Sequence, residues 1–202
     1  MAHIQSVCVY CGSSAGSEPL FAEEARRFGQ LLAQHEVRLV YGGGGIGLMG
    51  EVASAAALAG GTVTGIIPGF LVRRERAFAH DAEMLVVGDM HERKRLMFER
   101  ADAFVALPGG VGTLEELVEQ LTWAQLGQHR KPILIANIAG FWDPFLKLLD
   151  HMRATGFIRQ EIAVDVLVAE SVDEILPMLQ AAAARVPDDT LRHGAEALTE
   201  KM

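Results

Sequence analysis

The length, composition and charge of this chain exclude several classes of protein. Its 202 residues suit one domain with a sizeable core, and a composition that is 50% hydrophobic and 22% charged is typical of a globular protein. The net charge of −8 argues against a nucleic-acid-binding protein, because neutralising phosphates requires an excess of lysine and arginine.

The chain carries no pattern that is typical of secretion or membrane insertion. Residues 1–6 show no basic region followed by an apolar run, and the most apolar stretch, Val52–Phe70, is interrupted by glycines, threonines and a proline.

Two cysteines cannot form a disulfide framework, which indicates a reducing, cytoplasmic location. Cys8 and Cys11 have the C-x-x-C spacing, but within a strand they face opposite sides of the sheet. We therefore interpret them as buried structural thiols. No metal site is expected, because there is no second cysteine pair and the histidines show no H-x-x-x-H spacing.

Short apolar runs alternate with segments of helical period along the chain. The runs predict strands buried on both faces of a parallel sheet, and the longer segments predict helices. The predicted strands are Ser6–Cys11, Val37–Tyr41, Thr62–Ile67, Met84–Val87, Ala103–Leu107, Ile133–Ala136 and Val164–Ala169. The predicted helices are Pro19–Gln34, Leu48–Ala59, Met90–Glu99, Thr113–Leu126, Pro144–Thr155 and Val172–Ala184.

This alternation predicts an α/β fold: a single-domain, Rossmann-like, doubly wound and mainly parallel sheet with helices on both faces. Ligands of such sheets bind beyond the carboxyl ends of the strands. Ser17 is expected to cap the first helix and Ser171 the last. The domain is expected to span residues 1–184, and residues 185–202 form a polar tail to which we assign no function.

The first glycine-rich run, Tyr41–Gly50, follows the second strand and opens the second helix. Glycines let the backbone approach a phosphate closely, so Gly43 and Gly44 are predicted to contact a phosphate or ribose. The alternative is tight packing between the strand and the helix. A dinucleotide fingerprint can be read as Gly42-x-Gly44-x-x-Gly47, but no acidic residue stands at the end of the next strand. That absence disfavours an NAD(P)-dependent oxidoreductase.

The second glycine-rich run, Pro108–Glu116, joins a buried strand to a helix. Its amides, together with the hydroxyl of Thr113, predict an anion-binding loop at the positive end of the helix. Glu115 and Glu116 follow in the predicted first turn, where acids commonly complement the helix dipole. The alternative is a role on a sugar, because a carboxylate can activate water or stabilise an oxocarbenium-like centre.

Further candidates lie in two basic segments and one short loop. Met90–Arg95 places three cations early in a helix, where the dipole disfavours them. They form either a solvated surface patch or, for an inward Arg93, a contact to a phosphate or leaving group. Residues 73–76 carry similar charges in an irregular loop. Cys11–Ser14, which includes Ser13, is a third candidate ligand-facing loop.

Together these segments resemble the LOG ("Lonely guy") family of cytokinin riboside 5′-monophosphate phosphoribohydrolases, many of which carry the older label "lysine decarboxylase-like". The resemblance runs from about residue 6 to residue 184. It rests on CGSS at Cys11–Ser14, YGGGGIGLMG at Tyr41–Gly50, MHERK at Met90–Lys94, PGGVGTLEE at Pro108–Glu116 and TWAQLG at Thr122–Gly127. Val111 departs from the pattern, because an aromatic residue is frequent at this position.

The resemblance implies a catalytic pair and a set of substrate contacts. The catalytic pair would be Arg93 and Glu116. The implied substrate-binding residues are Glu75, Lys94, Gly109, Gly110, Val111, Gly112, Thr113, Leu114, Glu115 and Thr122. It also implies a Rossmann-like fold and a homodimer with active sites near the subunit interface.

The predicted reaction is hydrolysis of the N-glycosidic bond of a nucleoside 5′-monophosphate that carries adenine or an N6-modified adenine. The glycine loops would hold the phosphate, Glu116 would stabilise positive charge at C1′ and help to activate water, and Arg93 would contact the phosphate or the departing base. We expect no metal, no redox cofactor, no nucleic-acid partner and no membrane partner. The alternatives are a non-catalytic nucleotide or cofactor carrier on the same fold and an NAD(P)-dependent oxidoreductase.

Overall fold

Seven parallel strands form one sheet in the residues that the computed structural model describes, which are 3–75, 82–158 and 166–185. The strands are β1 (Ser6–Tyr10), β2 (Arg38–Tyr41), β3 (Val63–Pro68), β4 (Glu83–Val87), β5 (Ala103–Ala106), β6 (Ile133–Ala136) and β7 (Leu167–Ala169). Each lies within one residue of its predicted bounds except β7, where part of the predicted strand falls outside the described residues.

Six α-helices connect the strands in this part of the chain. They are α1 (Pro19–Gln34), α2 (Gly47–Leu58), α3 (Met90–Glu99), α4 (Val111–Gln125), α5 (Asp143–Ala154) and α6 (Val172–Ala183). Single turns of 3₁₀ helix lie at Gly69–Leu71 and Ile138–Gly140. The largest difference from the prediction is at α4, which begins two residues before the predicted Thr113.

Of the two predicted helix caps, the structure confirms the one on the last helix and not the one on the first. Ser171 caps α6 and accepts a hydrogen bond from the Asp173 N–H, as predicted. The prediction that Ser17 caps α1 is wrong, because the N-cap is Glu18, which makes no side-chain capping bond. Pro19 occupies the first turn of α1, where its lack of an N–H costs nothing, and this fixes the helix start without a polar cap.

The strand order is β4-β3-β2-β1-β5-β6-β7, and every neighbouring pair is parallel. The chain runs outward from β1 to β4 and then returns to the other side of β1 with β5. This confirms the predicted doubly wound sheet, and the switch in winding direction lies between β1 and β5. Ligands of such sheets bind in the crevice beyond the carboxyl ends of the strands at this switch point. The loops after β1, β2 and β5, which the sequence singled out, all begin at that edge.

The core has two layers, one on each face of the sheet. One layer packs α1, α2 and α6 against the sheet through residues such as Phe28, Val52 and Leu179, and the other layer packs α3 and α4 through Phe98 and Leu117. Successive strand residues alternate between the layers. Cys8 and Cys11 accordingly lie in opposite layers, and both are free thiols, which confirms the predicted structural role.

Two buried contacts fix the arrangement of the helices. Gly29 of α1 lies so close to α2 that a Cβ there would overlap the carbonyl oxygen of Val52, so the two helix backbones touch directly. Asn137, buried at the end of β6, accepts a hydrogen bond from the Trp142 N–H at 2.9 Å and donates to Asp143 Oδ1 at 2.9 Å and Glu170 Oε1 at 3.2 Å. It therefore ties the start of α5 to the end of β7.

Among the described helices, none is both long enough and apolar enough to cross a membrane. The sheet and its helices continue as one unit to Ala183. The predicted tail, residues 185–202, lies outside the described residues apart from Arg185, so the domain division stays a prediction.

Candidate active site

A cavity of about 340 Å³ lies at the carboxyl edge of the sheet, beside the switch between β1 and β5. Several of the predicted site residues line it: the stretch Gly110–Thr113 together with Ser13, Glu75, Arg93, Glu115 and Glu116. Segments that are far apart in sequence, from Ser13 to Glu116, therefore meet in one place, as the fold requires. Apolar side chains that sequence reasoning did not select complete the wall: Val9, Met49, Leu71 and Met90.

The start of α4 forms one wall of the cavity and presents unpaired amides to it. Gly110 is the N-cap in an extended conformation, and the Leu114 N–H donates to the Gly110 carbonyl in the first helical hydrogen bond. The N–H groups of the first three helical residues, Val111, Gly112 and Thr113, therefore have no partner within the helix. Unpaired amides and the positive end of the helix dipole make this wall suited to an anion, as the sequence predicts.

The early start of α4 also moves the two glutamates. Because the helix begins at Val111, Glu115 and Glu116 are its fifth and sixth residues rather than members of the first turn. They do not cap the dipole, which corrects that interpretation. Glu116 is instead placed one turn beyond the amides, where its carboxylate faces the interior of the cavity.

Arg93 of α3 and Glu116 of α4 form a buried pair of opposite charges. Their side chains are 8% and 12% exposed, and 3.8 Å separates Arg93 Nη2 from Glu116 Oε1. This is an ion-pair distance but too long for a hydrogen bond. The Nε of Arg93 is also buried without a hydrogen-bond partner. The guanidinium therefore retains donors for a ligand, and the surface-patch interpretation of Arg93 is wrong.

The environment of Glu116 raises the pKa of its carboxyl group to about 7. Burial is the largest cause, because a charged carboxylate is poorly solvated in the cavity wall. The nearby carboxylates of Glu115 and Glu75 raise the pKa further, while the cations Arg93 and Lys94 lower it. A carboxyl that titrates near neutral pH inside a cleft is suited to general acid–base chemistry.

Glu75 enters the cavity from the segment that follows β3. Its backbone carbonyl accepts a hydrogen bond from the Gly45 N–H at 2.9 Å, which fixes the segment against the first glycine loop. Its Oε2 atom is buried and has no hydrogen-bond partner. An unpaired buried carboxylate oxygen in a cavity wall is suited to accept a hydrogen bond from a ligand hydroxyl. The neighbouring Arg73 and Arg74 are exposed, and Arg76 lies outside the described residues.

Lys94 is paired with glutamates rather than directed into the cavity. Its Nζ lies 2.7 Å from Glu115 Oε1 and 2.9 Å from Glu119 Oε1. The pairs link α3 to α4 next to the Arg93–Glu116 pair. Two consecutive residues of α3 therefore pair with two consecutive residues of α4. The implied substrate contact of Lys94 stays a prediction, and the geometry gives it a role in holding the two helices together.

The glycines of the first loop pack against side chains. Gly43 has a left-handed backbone (φ +77°), and a Cβ there would lie 2.9 Å from Ile67 Cβ. A Cβ on Gly44 would lie 2.7 Å from Met49 Cε and 3.2 Å from Glu75 Oε2. Neither glycine lines the cavity. Close packing, the alternative considered for this loop, therefore explains both positions, and their predicted phosphate contact remains untested.

Three further predicted residues lie outside the cavity wall. Gly109 packs against Thr113, whose Oγ1 a Cβ on Gly109 would overlap. Leu114 is half-buried and packs into the core layer of α3 and α4. Thr122 is exposed, and its hydroxyl donates to the Val118 carbonyl at 2.8 Å. Thr122 therefore makes no contact with this cavity from its own subunit.

The fold and the cavity define the class: a Rossmann-like α/β protein in which an anion-binding helix terminus lies beside a buried acid of near-neutral pKa. A family model described as "Possible lysine decarboxylase" matches residues 49–179. The cytokinin riboside 5′-monophosphate phosphoribohydrolase LOG of Oryza sativa subsp. japonica is 45% identical over 174 residues, which is 86% of this chain and 72% of that protein. The enzyme of the same name from Arabidopsis thaliana, LOG7, is 44% identical over 174 residues, covering 86% of this chain and 80% of the relative. This chain belongs to the LOG family.

Solved structures show the same fold at much lower sequence identity. The molybdenum cofactor carrier protein of Chlamydomonas reinhardtii matches with a TM-score of 0.67 and 22% identity over 89% of this chain and 98% of that one. A molybdenum cofactor binding protein of Rippkaea orientalis matches with a TM-score of 0.65 and 20% identity over 90% of this chain and 98% of that one. Similarity at this level establishes the fold and carries no information on the ligand.

Proposed function

We propose that this protein hydrolyses the N-glycosidic bond of a purine nucleoside 5′-monophosphate and releases the free base and ribose 5-phosphate. The base is adenine or an N6-modified adenine, as the names of the plant relatives suggest. The observation that carries the proposal is the buried Arg93–Glu116 pair, with a carboxyl pKa of about 7, one turn from the open amides of α4.

The phosphate binds at the start of α4 in this proposal. The free N–H groups of Val111, Gly112 and Thr113 and the Thr113 hydroxyl supply hydrogen-bond donors to its oxygens. The ribose then extends along the helix towards Glu116, with Glu75 facing its hydroxyl groups from the opposite wall. Binding energy from the phosphate holds C1′ beside the carboxylate, which replaces a bimolecular encounter with a fixed geometry.

The chemical step breaks the C1′–N9 bond and forms a C1′–O bond with water. As the base leaves, positive charge develops at C1′, and the Glu116 carboxylate stabilises it and accepts a proton from the attacking water. The departing base takes up one proton from solvent and Glu116 then releases its proton to solvent, so the sum of the step is nucleotide plus water giving base plus sugar phosphate. Arg93 supplies the donors that contact the phosphate or the leaving base. No lysine lines the cavity among the described residues, so the older decarboxylase label gains no support from a Schiff-base candidate.

The proposal is tested by base release from a panel of substrates. Wild-type protein is assayed with AMP, an N6-isopentenyl AMP, adenosine and ADP, and the free base is quantified by chromatography. Monophosphates should be hydrolysed, and adenosine should react at least about 100-fold more slowly, because the phosphate contacts are lost. Binding of AMP without any base release would favour the non-catalytic carrier. Comparable kcat/KM for adenosine and AMP would exclude the proposed phosphate site.

We further propose that the protein is a homodimer and resides in the cytosol. Val118 of α4 and Leu126, the residue just after that helix, are 42% and 67% exposed, which leaves apolar surface for a second copy. Thr122 lies six residues, or about 9 Å, beyond Glu116 along α4 and does not line the cavity, so the nucleotide contact that the resemblance implies for Thr122 is better explained by the cavity of a second copy. Light scattering at micromolar concentration tests this, and a monomer would refute it. The cytosolic location is supported by the free thiols Cys8 and Cys11.

A further inference from the structure

Gly42, the first residue after β2, is in direct contact with the guanidinium of Arg93. A Cβ added to Gly42 would overlap Arg93 Nη2 and would lie 3.1 Å from Arg93 Cζ and 3.4 Å from Met49 Sδ. The two residues are 51 positions apart in sequence, one at the end of β2 and the other on α3. The backbone of Gly42 is not left-handed, so an alanine is conformationally allowed there, and only this contact opposes it.

The position of the guanidinium depends on shape rather than on strong hydrogen bonds. Arg93 Nη1 makes one long contact, 3.8 Å, to the sulfur of Met90, and Nη2 lies 3.8 Å from Glu116 Oε1. Its Nε has no partner. Arg93 is nevertheless only 6% exposed, so its head group is confined by the atoms around it. A guanidinium with no short hydrogen bond in the protein moves if the space that confines it changes.

We propose that Gly42 is a positioning residue for the reaction, and that its missing side chain provides the space that holds the Arg93 guanidinium beside Glu116. This rests on the proposed function of the Arg93–Glu116 pair. A methyl group at position 42 displaces the guanidinium from the carboxylate and from the place where it meets the substrate. The first glycine of the run after β2 then serves the positively charged side of the site.

Displacing Arg93 alters the charge balance around Glu116. The charged groups facing Glu116 are Arg93 and Lys94 from α3, Glu115 from α4 and Glu75 from the segment after β3. The cations lower its pKa and the carboxylates raise it, so moving Arg93 away raises the pKa of Glu116 above its present value. Nearby groups of β1 and of the residue that follows it stay neutral, because burial raises the pKa of each: Cys8, Tyr10 and Cys11.

The test compares Gly42→Ala with Gly88→Ala, a matched glycine substitution just before the helix that carries Arg93. A Cβ on Gly88 meets only Glu92 Oε2, at an ordinary 3.5 Å, so this variant should behave as wild type. Gly42→Ala should lower kcat/KM for AMP by roughly 10–100-fold at pH 8, the size expected for a misplaced catalytic group. The loss should grow at pH 6, because a higher pKa removes more of the active carboxylate. The titration of the substrate phosphate is common to all variants and cancels in the comparison.

A double-mutant cycle with Arg93→Ala separates positioning from general damage to the fold. If Gly42 acts through Arg93, adding Gly42→Ala to Arg93→Ala should cause no further loss of activity and no further drop in melting temperature, since the space is then free. The melting temperatures show whether Gly42 acts through Arg93 even if the wild type releases no base. Failure of the positioning role is therefore distinguishable from failure of the proposed reaction. Equal effects of Gly42→Ala in both backgrounds, or a wild-type pH profile for Gly42→Ala, would overturn the proposal.

Discussion

Arg93 and Glu116 lie 3.8 Å apart on two neighbouring helices, close enough to attract each other and too far apart to form a hydrogen bond. A fully bonded pair would have its donors and acceptors occupied, and a ligand would have to break it. The spacing leaves the Nε of Arg93 buried without a hydrogen-bond partner and the Glu116 carboxylate without a short bond to Arg93, an arrangement that suits the substrate contacts proposed above. The pair is therefore arranged for a third participant between or beside its members.

Replacing Glu116 by glutamine should abolish most of the activity while leaving binding intact. Glutamine keeps the shape and hydrogen-bonding capacity but removes the charge that stabilises C1′ and accepts the proton of water. Turnover of AMP should fall by roughly 10²–10⁴-fold, the usual contribution of a positioned acid–base group. Steady-state base release measures the effect, and calorimetry should show that AMP still binds.

Glu115→Gln is the matched control for that substitution. Glu115 is adjacent in sequence but points elsewhere on the helix, is 52% exposed and pairs with Lys94. Its replacement should reduce turnover far less than Glu116→Gln does. A Glu116→Gln protein that is folded and keeps more than about a tenth of wild-type turnover would remove Glu116 from the catalytic role.

Glu116→Gln should also have a pH-dependent effect on the stability of the fold. Burial raises the pKa of Glu116 from 4.5 to about 7, so the folded state holds this proton more tightly than the unfolded state. The stability that the group contributes is thus fully present below its unfolded pKa and is lost as the pH rises towards 7. The glutamine of Glu116→Gln cannot ionise. The variant should therefore gain stability relative to wild type when the pH is raised from 4.5 to 8.

That gain should be of order 1–3 kcal/mol in the free energy of unfolding, since each pKa unit corresponds to about 1.4 kcal/mol. Urea denaturation of both proteins at the two pH values measures it. Groups other than Glu116 titrate in both proteins and largely cancel in the difference. A difference between the two proteins that does not change with pH would show that Glu116 is ionised normally in the folded state.

Thr113→Val should weaken phosphate binding with little effect on the chemical step. Thr113 is buried at the start of α4 and lines the cavity, and valine preserves its shape without the hydroxyl. Losing one hydrogen bond to a charged group costs about 1.5–3 kcal/mol, so KM for AMP should rise roughly 10–100-fold. An interaction made equally with substrate and transition state changes KM and not kcat. An unchanged KM would place the phosphate elsewhere.

Asn137→Ala should destabilise the fold without affecting catalysis. The substitution leaves the buried Trp142 N–H without its acceptor and the carboxylates of Asp143 and Glu170 without a donor. An unsatisfied buried group costs about 1–3 kcal/mol, which chemical denaturation detects. Asn137 lies outside the cavity wall, so kcat/KM for AMP should stay near the wild-type value. A large loss of activity at full folding would instead connect the end of β6 to the site.

The sequence predicted the strands and the sheet well because nearly continuous apolar runs are forced to be buried on both faces. It placed the start of α4 too late, since Gly112 is a poor helix former and the periodicity only becomes clear after it. The phosphate or ribose contact that it predicted for Gly43 and Gly44 stays a prediction, and it could not show the packing of this loop, because a local pattern does not reveal which distant side chain fills the space beside a glycine. The contact between Gly42 and Arg93 is of this kind. The apolar wall residues, such as Leu71 and Met90, carry no local signal either, because a core role predicts the same residue type.

The charges that α3, α4 and the segment after β3 bring together have a consequence for the heat of ligand binding. When all are ionised, two cations face four carboxylates: Arg93, Lys94, Glu75, Glu115, Glu116 and Glu119. A nucleotide phosphate adds nearly two further negative charges, and Glu116, whose pKa is about 7, is the group able to offset one of them by taking up a proton. Binding of AMP at pH 7–8 should therefore protonate Glu116 in a fraction of the complexes and draw that fraction of a proton from the buffer, while the complexes that keep the carboxylate are the ones that react. Calorimetric enthalpies measured in HEPES and in Tris would then differ by a fraction of the difference in the ionisation enthalpies of these two buffers, and Glu116→Gln should remove that difference.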